Sequence, residues 1–216
     1  MRYFKLNEQI VAALSVIVFT VGIAGISNPS TRAVFIPLTP LILVLSLFVS
    51  LLFHNEVWNV KTVLVFTLLV VLAWLVEAYG VATGKIFGFY NYGHSLGLKI
   101  LGTPVLIGFN WLFLVYGSTS IVSGARLHFV NKALLASFLM VTYDFFLEIM
   151  APYLAMWEFD DGTAPIRNYI AWFIIAFAFH SLVRLSGIRM SNRIASFIFL
   201  LQFFFFIILS FIHFMI

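Results

Sequence analysis

Cysteine is absent from this 216-residue chain, so disulfides, thiolate nucleophiles and cysteine-held iron–sulfur clusters are excluded. Charge is scarce as well: Asp, Glu, Lys and Arg make up 9% of residues against 63% hydrophobic, with a mean hydropathy of +1.10. No soluble core of this size hides that much apolar surface, so lipid must be the solvent. Internal repeats, low-complexity linkers and polar stretches long enough for a soluble domain are lacking too. The expectation is one transmembrane domain over residues 1–216. No G-x-G-x-x-G or P-loop pattern occurs. The last helix, residues 191–216, has no lysine to carry a retinal Schiff base. The five histidines (54, 94, 128, 180 and 213) are isolated, unlike the H-x-x-x-H clusters of di-iron membrane enzymes, and no metal site is expected. Two aspartate-rich motifs for magnesium diphosphate are likewise missing; D-F-F-L-E at 144–148 is one degenerate half.

What the chain does have is apolar runs of spanning length. Seven lie at roughly 8–26, 35–53, 60–80, 103–121, 132–151, 167–187 and 192–214, each near the 17–25 residues that cross a bilayer. They are too long and continuous for barrel strands, so the fold class is an all-α polytopic bundle. Arg2 and Lys5 precede the first run, but that run exceeds a signal peptide's apolar core of about 7–15 residues, and it reads as an uncleaved helix. Eight basic residues (Arg2, Lys5, Lys61, Arg126, Lys132, Arg184, Arg189 and Arg193) fall on one side and four (Arg32, Lys85, Lys99 and Arg167) on the other. The richer side is expected in the cytoplasm, with the N-terminus inside, the C-terminus outside, and the loops around 81–101 and 152–166 outside. The formal charge of +4 is then a topology signal and not a nucleic-acid footprint.

Only eight acids are present, and three lie inside spans: Glu77, Asp144 and Glu148. A charge at the bilayer centre costs roughly 2.5–3.5 kcal/mol on the mildest scale, so intramembrane acids read first as functional. Asp144 and Glu148 are four apart and share a helix face. Two such carboxyls in low dielectric do not both ionise readily, which makes the pair a proton source. The structural alternative is a set of neutral hydrogen-bond staples, with Asn110, Asn168 or Arg167 as partners. After Glu77 comes AYGVATGKIFGFYNYGHSLG, with glycines at 80, 84, 88, 93 and 97 and aromatics at Phe87, Phe89, Tyr90 and Tyr92. An interfacial aromatic belt explains the tyrosines. A segment capping a pocket also explains the glycines and the glutamate, because irregular backbone at membrane depth must be buried in protein or line a cavity. Trp74 shares a face with Glu77, Trp172 shares one with Asn168, and Asn110 and Trp111 sit mid-helix. Carboxyls, amides and indoles are thus expected around one pocket in the outer leaflet.

E-A-Y-G-V-A-T-G-K-I-F-G-F-Y-N-Y-G from Glu77, G-T-P-V-L-I-G-F-N-W from Gly102, and D-F-F-L-E-I-M-A-P from Asp144 with Trp157 and N-Y-I-A-W-F from Asn168 resemble the integral-membrane carotenoid biosynthesis proteins. That family includes hydratases acting on γ-carotene and bisanhydrobacterioruberin. The likeness covers residues 73–173. Ile149 and Phe159 depart from it, standing where a proline and a second tryptophan are usual. The resemblance implies addition of water to the terminal double bond of an acyclic (ψ) carotenoid end group, giving a tertiary alcohol in a plasma-membrane enzyme. It implies no redox cofactor or metal, and it allows association with other carotenoid enzymes. On that reading Asp144 and Glu148 are the acid/base pair, and Glu77 orients water or is a second acid. Asn110, Trp111, Asn168, Trp172, Trp74, Tyr90, Tyr92 and Trp157 bind substrate. The alternatives are a proton-initiated cyclase, for which the P-x-E-[ED] motif is missing, and a non-catalytic carotenoid carrier.

Overall fold

The computed structural model describes residues 6–215; Arg2 and Lys5, counted in the basic asymmetry, lie outside them. The helices are α1 (Leu6–Ser27), α2 (Pro29–Phe35), α3 (Thr39–Leu52), α4 (Val60–Thr83), α5 (Leu106–Ser123), α6 (Phe129–Met150), α7 (Ile166–Ser186) and α8 (Arg193–Met215), with a 3₁₀ turn at Ile36–Leu38. Counting Pro29–Leu52 as one segment, seven among the described residues are long and apolar enough to cross a membrane. The protein is therefore a multi-pass α-helical bundle.

The span limits differ from expectation where side chains set the helix ends. The second span begins at Pro29, not near 35, because Asn28 caps it by accepting from the Ser30 amide at 3.0 Å and Pro29 needs no donor there. Pro37 and Pro40 then interrupt the α-helical ladder, and the 3₁₀ turn between α2 and α3 is the result. The third span runs on to Thr83 and is closed by Gly84 in the left-handed region, φ +63°. The fourth starts late, because Lys99–Ile100 (β2) and Thr103–Pro104 (β3) form a hairpin first.

Helix α5 is the axis of the bundle. It packs against α3, α4, α6 and α8 and is the most completely buried span. Small residues let its neighbours come close: a Cβ at Gly108 would overlap the Val70 carbonyl of α4, and one at Gly117 would press on the Phe199 ring of α8. In lipid, where apolar burial drives little, such close backbone packing holds helices together. The outer helices expose leucine, valine and phenylalanine to the acyl chains.

Two loops meet over one end of the bundle. Tyr90–Tyr92 (β1) pairs antiparallel with Trp157–Phe159 (β4), in the register Tyr90 to Phe159, Asn91 to Glu158 and Tyr92 to Trp157. Gly93 makes the approach possible, since a Cβ there would collide with the Ala155 carbonyl. Its amide donates to the Met156 carbonyl at 2.7 Å.

Candidate functional site

A two-residue period organises the cap. Successive side chains of a strand face opposite ways, so Asn91 and Glu158 point outward while Tyr90, Tyr92, Trp157 and Phe159 point into the bundle. The inward rings pack across the ladder, with centroids 5.2 Å apart for Tyr90 and Phe159 and 5.8 Å for Tyr92 and Trp157.

Beneath this aromatic lid lies Glu77, buried near the end of α4. Its Oε2 accepts from the hydroxyls of Tyr90 at 2.6 Å and Tyr92 at 2.9 Å, and its Oε1 from the Trp111 indole at 2.8 Å. Burial first, and then the neighbouring Glu77 charge, raises both phenols well above their usual range, so they remain donors. The two tyrosines expected to meet substrate thus commit their hydroxyls to Glu77. That carboxyl is the post to which the capping segment is tied.

The second acid cluster joins α6 to α7. Asn168, in the first turn of α7 and 1% exposed, gives its amide nitrogen to Asp144 Oδ2 at 3.0 Å and to Glu148 Oε1 at 3.2 Å. The Trp157 indole donates to Glu148 Oε2 at 2.8 Å. Asn168 is therefore the partner of the acid pair; of the two others expected, Asn110 forms no hydrogen bond with it and Arg167 no ion pair, among the described residues. Among the described residues the ion pair is Arg193 with Glu8, remote from all three acids. No three His, Cys, Asp or Glu side chains among the described residues come together as a metal-ligand set.

Between the two clusters is a cavity of about 20 Å³, walled by Glu77, Glu148, Asn110, Asn168 and the rings of Phe87, Tyr90, Tyr92, Trp111, Trp157, Phe159 and Trp172. A water needs roughly 10–15 Å³ measured this way, so there is room for one. Trp111 and Trp172 stack at 4.1 Å with planes 25° apart, and the buried Asn110 Oδ1 has no hydrogen-bond partner. Two expected members stand apart. Asp144 is fully buried behind Asn168, off the cavity wall, with Oδ1 unpaired. Trp74 turns to the α4–α5 contact beside Gly108, with its indole N–H unpaired. Phe159, read as a departure from the usual tryptophan, is part of the wall.

A feature the sequence did not disclose is a row of spaces beside this cavity. A neck of about 10 Å³ shares Ile107, Asn110 and Trp157 with it. The neck in turn shares Leu43, Met156 and Phe206 with an apolar groove of about 320 Å³ between α1, α3 and α8. Gln202, buried where the groove deepens, has neither amide atom hydrogen-bonded, and the Tyr143 phenol in the neck wall is its polar neighbour.

Comparison with known proteins gives one match. A family model described as "Carotenoid biosynthesis protein" matches residues 38–216. No curated protein and no solved structure matches.

Proposed function

The chain belongs to the carotenoid biosynthesis protein family, and from that premise we propose that it hydrates the terminal double bond of an acyclic carotenoid end group by proton transfer. The observation that carries this reading is a cavity sized for one water, walled by carboxyl, amide and aromatic groups, with a narrow neck beside it that shares walls with both the cavity and an apolar groove. A long polyene dissolved in the bilayer fits that groove, with its end group directed at the acids.

Glu148 is the proton donor, because it lines the cavity whereas Asp144 does not. Two carboxyls sharing one amide, with no cation beside them, hold a proton between them more readily than two charges. The Glu148 O–H gives its proton to the less substituted carbon of the terminal double bond. The π pair forms the new C–H bond and leaves a tertiary cation. The faces of Trp111, Trp172 and Trp157 stabilise that cation by about 0.5–2 kcal/mol each. A lone pair of the resident water closes the C–O bond, and a water proton returns to the Glu148 carboxylate. Atoms balance: one water is added and the acid is regenerated. Asn110 Oδ1, unpaired at the wall, accepts from that water and orients it. Asn168 holds the carboxyl in place, and Asp144 behind it tunes the shared proton. Glu77, saturated by three donors, anchors the lid and keeps the cavity closed to bulk water.

The closed neck means that Met156 and Phe206 turn aside when an end group enters. A cyclase making the same cation would gain nothing from a niche for one water, which favours hydration. The membrane concerned is the plasma membrane. Expression in a bacterium that accumulates lycopene or γ-carotene tests the proposal. Chromatography should show a more polar product with the parent chromophore; a ring-shifted spectrum or unchanged pigment would reject it.

A further inference from the structure

At the opposite end of the bundle, the C-terminal ends of α5 and α7, the N-terminal end of α6 and the α7–α8 link surround a second cavity of about 350 Å³. Three cations stand around it: Lys132 from α6, Arg184 from the last turn of α7, and Arg189 from the α7–α8 link. No acid is among its walls. Its floor is apolar, with Val122, Ala133, Ala136 and Val183 all buried. In that floor lies His180, 5% exposed, its Nδ1 paired with the Thr119 hydroxyl at 2.9 Å and its Nε2 unpaired.

Charge bias between the two sides of a membrane accounts for cations at one end of a bundle. It does not account for three of them converging on one concavity over an unpaired, buried imidazole nitrogen. Lys132 is held there, its ammonium donating to the Ser123 carbonyl at 2.8 Å, while the exposed Arg184 and Arg189 form no ion pair among the described residues. Guanidinium forks match phosphate oxygens in pairs. Basic pockets between helices at the headgroup level are where lipid phosphates bind. The apolar floor takes a chain.

We propose that this cavity is a binding site for a phosphate-bearing amphiphile, its phosphate held by Arg184, Arg189 and Lys132 and its chain laid toward Val122 and Ala136. The shared chemistry is a phosphate ester or diphosphate on an apolar tail, either a membrane lipid headgroup or a prenyl diphosphate. The site is separate from the carboxyl cavity and does not depend on the reaction proposed there.

The test uses the full chain purified in neutral detergent and native mass spectrometry with four probes: phosphatidylglycerol, phosphatidylcholine, geranylgeranyl diphosphate and inorganic diphosphate. Wild type should retain one phosphatidylglycerol or one geranylgeranyl diphosphate at least tenfold more tightly than phosphatidylcholine. Preference for phosphatidylglycerol identifies a lipid headgroup and preference for geranylgeranyl diphosphate a prenyl diphosphate, and each supports the site. Inorganic diphosphate retained as tightly as either would show an anion site that takes no chain and would overturn the amphiphile. Retention should weaken as salt rises from 50 to 200 mM. The R184Q/R189Q protein should lose the preference at least tenfold while keeping the unfolding temperature of the wild type in detergent. Equal retention of phosphatidylglycerol and phosphatidylcholine, with no diphosphate bound, would overturn the proposal. So would unchanged binding in the double variant. The wild-type comparison stands on its own if that variant fails to fold.

Discussion

Replacing Glu148 by glutamine separates chemistry from architecture, provided its hydrogen bonds are followed through. Both carboxyl oxygens are acceptors, Oε1 from Asn168 at 3.2 Å and Oε2 from Trp157 at 2.8 Å. Glutamine has one oxygen and one NH₂, so one of those donors must face another donor. Leaving a buried donor unpaired costs about 1–3 kcal/mol. The transferable proton is lost as well, which should lower turnover by about 10²–10⁴-fold. Glu148→Gln is therefore expected to be both less stable and nearly inactive. A second change dissects the two effects. Trp157→Phe removes the indole donor, so Glu148→Gln with Trp157→Phe should regain part of the lost stability, the glutamine NH₂ still lacking an acceptor, and none of the activity. Trp157→Phe alone should keep turnover within roughly thirtyfold, since one ring face contributes about 0.5–2 kcal/mol to the cation. Thermal unfolding in detergent measures stability, and chromatographic product per folded protein measures turnover. If Glu148→Gln keeps turnover within tenfold of wild type, or if the double variant regains activity along with stability, Glu148 is a brace and not an acid.

Glu77→Ala leaves the hydroxyls of Tyr90 and Tyr92 and the Trp111 indole without their acceptor; hydrogen exchange across residues 86–104 should rise at least tenfold, and unchanged protection would remove Glu77 as the anchor. Gly93→Ala should part β1 from β4 at a cost of about 1–3 kcal/mol, as overpacking does, seen as a lower unfolding temperature; a neutral effect would mean the Ala155 carbonyl gives way freely. Met156→Trp should plug the neck and cut kcat/KM for carotenoid at least tenfold per folded protein, at an overpacking cost of about 1–3 kcal/mol in stability; full activity would place substrate entry elsewhere.

The seven spans were legible in the sequence because apolar runs of that length have few alternatives, and the three buried acids because charge is so scarce. The i, i+4 spacing of Asp144 and Glu148 brought both to one amide, Asn168, but spacing along a helix does not say which acid lies deeper. Asp144 is covered by Asn168, a fact of α6–α7 packing. Trp74 shares a face with Glu77 only in the loose sense of a three-residue step, and it is absent from the cavity wall, its Cβ lying against Gly108. The pairing of Tyr90–Tyr92 with Trp157–Phe159 had no local signature, because strands of three residues carry too short a period and the ladder joins segments 67 residues apart (Trp157 less Tyr90). The helix break at Pro37 and Pro40 was local and could have been read from prolines that cannot donate. The groove and neck depend on how α1, α3 and α8 pack, which no residue pattern announces.

The central claim is that the added oxygen comes from a water held in the carboxyl cavity. The direct measurement is isotopic: membranes containing the protein convert an acyclic carotenoid without oxygen in water enriched in ¹⁸O, and the product is weighed by mass spectrometry. One heavy oxygen per hydroxyl formed, at the enrichment of the solvent and with full turnover under anaerobic conditions, is the predicted result. A product that forms only in air and takes its label from ¹⁸O₂ would contradict it.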